Sequence, residues 1–132
     1  YTLHPQLEAD TYPVAQLPLC DLLLMNDARY PWCILVPRLE GLRDLHEVPA
    51  AHKTQLQQET DQISLLLANL VDAYKMNVAA LGNMVEQLHV HIIARSRTDA
   101  AWPGPVWGVG AAQPYSEAQA GELLKKIRDG LD

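Results

Sequence analysis

Val85-Glu86-Gln87-Leu88-His89-Val90-His91-Ile92-Ile93-Ala94-Arg95 is the stretch on which the reading of the whole chain turns. At a period of two it splits into two faces, with Gln87, His89 and His91 on one and Leu88, Val90 and Ile92 on the other. A strand of that kind buries its apolar face in a core and turns its polar face to water or to a ligand. Two histidines at i and i+2 set their Cβ atoms roughly 6.5–7 Å apart, close enough for both to reach one bound group. A metal ion would need a third and a fourth ligand. His4, His46 and His52 stand at no ligand spacing, and Cys20 and Cys33 belong to unrelated apolar runs. Phosphate chemistry fits better: a neutral imidazole is a nucleophile, and a neighbouring imidazole can donate to phosphoryl oxygens.

Upstream of this strand lies Gly82-Asn83, a turn, and before it Met76–Leu81 reads as a further strand. From Ala50 to Tyr74, Leu56, Ile63, Leu66, Leu67, Leu70 and Val71 step at three and four, with Lys53, Gln57, Gln58, Asp61 and Asp72 opposite. That is one long amphipathic helix, opened by Pro49 where a missing N–H costs nothing. Its leucine stripe is read as core. Cys20–Met25 and Trp32–Val36 are apolar runs of strand length around an Asn26-Asp27-Ala28-Arg29 turn, and they predict an antiparallel hairpin stopped by Pro37. Pro13–Leu17 is a candidate short strand, Pro5–Asp10 a short helix or an extended lead-in, and Arg38–Val48 irregular. Residues 96–114 scatter Gly and Pro among Trp102 and Trp107 and read as an ordered covering loop. Ser116-Glu117-Ala118-Gln119 is a capping box, and a short helix follows to about Arg128. The pattern is α+β with antiparallel hairpins in a single domain over residues 1–132.

The net charge of −6 argues against a nucleic-acid duplex or an anionic membrane as partner, though not against a small anion held by backbone amides. Two cysteines in apolar runs predict free buried thiols and a reducing, cytoplasmic setting. No run of 18 apolar residues and no signal-like opening segment is present. Arg95 and Arg97 are read as solvated charges, Trp32 as core, and His4, His46 and His52 are assigned no role.

Gly82-Asn83-Met84-Val85-Glu86-Gln87-Leu88-His89-Val90-His91-Ile92-Ile93 resembles the motif of the histidine triad (HIT) superfamily, His-φ-His-φ-His-φ-φ with φ apolar. Leu23-Leu24-Met25-Asn26-Asp27 followed by Trp32-Cys33-Ile34-Leu35-Val36-Pro37, with Met76-Asn77 and Trp102-Pro103, extends the resemblance over roughly residues 13–107. It looks most like small bacterial HIT-like proteins with Gln at the first triad position. The resemblance implies an antiparallel sheet of about five strands, one long helix, a short C-terminal helix, and a homodimer. It implies a nucleotidyl hydrolase or transferase in which His89 attacks an α-phosphorus and His91 hydrogen-bonds the phosphate, with no metal and no cofactor. Gln87 would orient a neighbour or a water. Asn26 and Asp27 would hold ribose hydroxyls, and Asn77 and the Gly82-Asn83-Met84 turn would contact phosphate. Trp102 falls among the substrate-contacting residues by the same likeness.

Three positions depart from the family pattern. Met84 stands where many relatives carry a donating Ser, Gln87 where they carry the first His, and Trp32 where they often carry another His. The site is therefore poorer in proton carriers, which leaves a nucleotide-binding module with little catalysis as the alternative. A partner-contact loop built on Trp102 and Trp107, and a metal-dependent enzyme, are the other classes weighed.

Overall fold

A computed structural model describes all of residues 1–132. The chain runs α1 (Pro5–Asp10), β1 (Thr11–Gln16), β2 (Cys20–Met25), β3 (Trp32–Pro37), α2 (Ala50–Val71), β4 (Lys75–Ala79), β5 (Val90–Arg95) and α3 (Glu117–Gly130). The five strands form one sheet in the order β1-β2-β3-β5-β4, antiparallel throughout. It is an α+β fold. Cys20–Met25 and Trp32–Pro37 pair as the expected hairpin, with Leu24 opposite Cys33 and Cys20 opposite Pro37. No helix is long and apolar enough to cross a membrane.

Strand alternation divides the core into two layers. Leu22, Leu24, Cys33, Leu35, Val90 and Ile92 pack beneath α2 with Leu56, Ile63 and Leu67. On the other face Leu23, Ile34, Val36, Trp32 and Ile93 form a second apolar layer with Leu7 of α1 and Val106 of the late loop. The polar face of this strand, expected to meet water or a ligand, is largely covered by protein. His89 and His91 keep only 5% and 4% of their surface exposed, because α1 and residues 101–107 close over that side.

Several boundaries move for identifiable reasons. β5 starts at Val90 rather than Gln87. The Leu88 N–H leaves the ladder to donate to the Leu42 carbonyl, and the Gln87 side chain is drawn to the N-terminal segment. α2 ends at Val71, short of Tyr74, where Asp72 turns left-handed at φ 51° and caps the helix. The core stripe of α2 also shifts. Leu70 and Val71 are exposed, while Glu59 is buried and its carboxylate accepts from the N–H groups of Leu19 and Cys20 at 2.9 and 2.8 Å. A buried carboxylate that anchors the start of β2 is not visible to a count of apolar residues. α3 opens on the capping box that Ser116 and Gln119 were expected to make.

Candidate active site

β5 lies between β3 and β4, with His91 opposite Ile34 on one side and Ala79 on the other. That central register fixes the His91 ring against Trp32 and Trp107, at centroid distances of 5.6 and 5.1 Å. The two imidazoles stand edge to face at 4.7 Å.

Hydrogen bonds decide the tautomer of each ring, since a carbonyl can only accept. His89 Nδ1 lies 2.6 Å from the Gln87 carbonyl and so carries the proton. Nε2 of His89 keeps its lone pair and has no protein partner. His91 is the opposite case. Its Nδ1 accepts from the Trp32 indole N–H at 3.1 Å, and its Nε2–H donates to the Leu81 carbonyl at 3.0 Å. Both of its nitrogens are engaged. Burial lowers the pKa of both rings below the usual imidazole value. For His91 burial carries it down to about 4, with the bond to Leu81 acting the other way and the charge of His89 adding to the fall. For His89 burial is again the main cause, the Gln87 carbonyl opposes it, and the charge of a nearby His4 adds to it.

The loop after β4 is shaped around His89. A Cβ on Gly82 would sit 2.6 Å from the Val85 carbonyl oxygen and 3.4 Å from His89 Cε1, so this close turn needs a glycine. Gly82 and Asn83, with Arg43, Asp44, Ala80 and Glu86, line a polar cleft of about 390 Å³ on that side. Met84 projects from the same loop and is 95% exposed, offering no donor.

Asn26 and Asp27 lie in a second cleft, of about 450 Å³, walled by Trp32, Trp107 and Arg29 among others. Asp27 is heavily engaged within the protein. Its carboxylate accepts from Arg29 Nε and Nη2 at 3.0 and 2.9 Å, and from the N–H groups of Arg29 and Gln113. Burial works to raise its pKa, but these donors outweigh it and hold the carboxyl below the usual carboxylate range. Asn26 Oδ1 accepts from the Tyr115 N–H at 2.9 Å. This turn thus ties down the segment that leads to α3.

Asn77 and Trp102 meet at a different point, the Arg95 end of β5. Arg95 is 2% exposed rather than solvated, which corrects the reading of its charge. Asp99 takes its Nε and Nη2, Asn77 Oδ1 takes Nη1 at 2.8 Å, and the Gly104 carbonyl also accepts from Nη2. The Trp102 ring lies over the guanidinium at 5.5 Å and edge-on to Tyr74. Trp107 packs edge-on to Trp32. The aromatic loop therefore packs its two half-buried tryptophans against Arg95 and Trp32.

The sequence missed the N-terminal segment that Gln87 binds. Gln87 spans the N-terminal segment, accepting from the His4 N–H at 2.8 Å and donating to the Thr2 carbonyl at 2.9 Å. His4 itself caps α1, its Nδ1 accepting from the Gln6 N–H at 3.0 Å. The signal that could have found it is Pro5, a residue suited to the first helical position, which makes His4 the cap. No group of three or more His, Cys, Asp or Glu side chains is arranged to hold a metal ion.

With paired imidazoles set in this antiparallel sheet, comparison with known proteins becomes informative. Residues 6–98 match the family model described as the HIT domain, so the chain belongs to the HIT family. It is 46% identical to a histidine triad protein from Marinobacter aquaeolei VT8, with a TM-score of 0.96 over 99% of this chain and 96% of that one. A histidine triad protein from Bradyrhizobium japonicum is 39% identical, with a TM-score of 0.97 over 100% of this chain and 98% of its own. The fold alone is shared with a hypothetical histidine triad nucleotide-binding protein from Sulfolobus tokodaii strain 7, at 18% identity and a TM-score of 0.67 over 94% and 85% of the two chains. No curated protein matches the chain.

Proposed function

We propose that this HIT protein is a nucleotidyl hydrolase or transferase acting at the α-phosphate of a nucleotide conjugate, such as a phosphoramidate or a dinucleoside polyphosphate. The observation that carries the reading is the tautomer of His89. Its Nδ1–H is committed to the Gln87 carbonyl, which leaves the Nε2 lone pair available as the nucleophile. Nε2 forms a bond to phosphorus while the bond to the leaving group breaks and its electron pair departs with that group. Water then adds to phosphorus, the P–N bond returns its pair to Nε2, and the nucleoside monophosphate leaves. The lowered pKa of His89 keeps the ring neutral, hence nucleophilic, into mildly acidic solution.

The remaining roles follow from position. The Gly82-Asn83 turn, pressed against the His89 ring, is assigned the phosphate, with Met84 beside it contributing backbone only. Asn77 has its Oδ1 held by Arg95, which leaves Nδ2 as a donor to phosphate. Asn26 and Asp27 are assigned the ribose in the cleft next to Trp32. Trp102 lies over Arg95 and so helps to hold the residue that orients Asn77. His91 contacts a phosphate by exchanging its bond to Leu81, and Gln87 orients His89 through its carbonyl.

The 132 residues are taken to work as one domain in a homodimer joined along the outer edge of β4, where Val78 and Leu81 are exposed. A cytoplasmic setting is supported by the two free buried thiols. The test is release of AMP from adenosine 5′-phosphoramidate. His89→Asn is expected to slow it by at least about a thousandfold; full turnover in that variant contradicts the reading. A binding module with little catalysis is the second reading, favoured by the engagement of both His91 nitrogens, and it predicts nucleotide binding without product.

A further inference from the structure

We propose, resting on the hydrolase reading above, that His4 donates from Nε2–H to a phosphoryl oxygen of the group under attack by His89. It would thereby supply from the N-terminal segment the imidazole that Gln87 cannot.

One residue positions both rings. The Gln87 side-chain oxygen accepts from the His4 N–H, its side-chain nitrogen donates to Thr2 O on the same segment, and its main-chain carbonyl accepts from His89 Nδ1. His4 is thus two hydrogen bonds away from the nucleophile although the two stand 85 positions apart in sequence.

The state of the His4 ring is also fixed. Its Nδ1 accepts the Gln6 N–H, so in the neutral ring the proton sits on Nε2. A second proton on Nδ1 would break that cap. The ring is therefore suited to donating a hydrogen bond rather than to transferring a proton, as a neutral imidazole does when a helix N-terminus holds its other nitrogen. Nε2 of His4 has no acceptor in the protein, and the ring is only partly buried. Of the other side-chain donors nearby, the Gln87 amide donates to Thr2 and the Trp32 indole to His91, and His91 Nε2–H reaches a phosphate only by giving up its bond to Leu81. The competing role for His4 is that of a helix cap and nothing more.

Two variants separate these roles. His4→Ser keeps a strong cap acceptor but removes the distant donor. His4→Gln places an amide nitrogen where Nε2 stood but weakens the cap. On the proposal, AMP release from adenosine 5′-phosphoramidate falls about 10²- to 10³-fold in His4→Ser, with its melting temperature held, and His4→Gln recovers most of the loss. If His4→Ser turns over like the wild type, the proposal is overturned and the hydrolase reading stands. Equal losses in both variants also overturn it, since a cap or packing defect then accounts for the effect. A wild-type protein that releases no AMP overturns the hydrolase reading, and this proposal falls with it.

Discussion

The two ends of one strand face behave differently. At the His89 end of β5 a ring nitrogen is left without a partner, beside a glycine turn and a polar cleft. At the Arg95 end, roughly 20 Å further along the strand, the guanidinium donates to Asp99, Asn77 and Gly104 and is covered by Tyr30 and Trp102. Arg95 has the chemistry of a phosphate ligand but no donor pointed at one. His89 has fewer bonds and more capacity to react. Residue type therefore identifies a candidate, and unfilled hydrogen-bonding capacity decides between candidates.

This contrast makes Arg95 a stability residue. Arg95→Met would leave the Asp99 carboxylate without its counter-charge, held only by the N–H groups of Ser96, Ala101 and Trp102, and remove the guanidinium beneath Trp102. A loss of about 3–5 kcal/mol is expected in urea unfolding, the usual cost of removing one partner of a buried ion pair. A variant as stable as the parent, but with weakened nucleotide binding, would break the contrast and move Arg95 into the site.

A smaller effect sharpens the account of His91. The folded protein holds this ring neutral down to about 4, whereas an unfolded chain takes up the proton near 6.5. Between those values the unfolded state binds more protons, so stability falls as the pH falls through this window and is constant above it. The full span corresponds to about 3 kcal/mol, with His89 acting in the same direction. Unfolding free energies measured from pH 7.5 to 4.5 should show this slope, and His91→Gln should flatten it. An unchanged slope in that variant would mean that His91 is not the buried neutral group described.

Much of the architecture was legible because it depends on local periodicity. The alternation through Leu88, Val90 and Ile92, the three-and-four spacing of α2, and the hairpin around Asn26-Asp27 each report which side of an element meets apolar neighbours. The HIT motif was legible for the same reason, its imidazoles alternating with core residues. What escaped depends on partners distant in sequence. The N-terminal segment on Gln87, Asn77 against Arg95, and Gln113 against Asp27 are contacts that no spacing rule announces. Arg95 was misread because a lone arginine at a strand end is ordinarily solvated. Asp99, four residues on and outside the strand, is what allows its burial. His4 was passed over because a histidine before a proline signals only a helix start.

The central claim is that His89 Nε2 is the nucleophile, and intact-mass spectrometry tests it most directly. The protein would be mixed briefly with adenosine 5′-phosphoramidate and quenched in mild alkali, which preserves a phosphorus–imidazole bond. An added adenylyl mass that maps to His89, and is lost in His89→Asn, is the predicted result. An adduct on another residue, or undiminished AMP release by the variant, would contradict it.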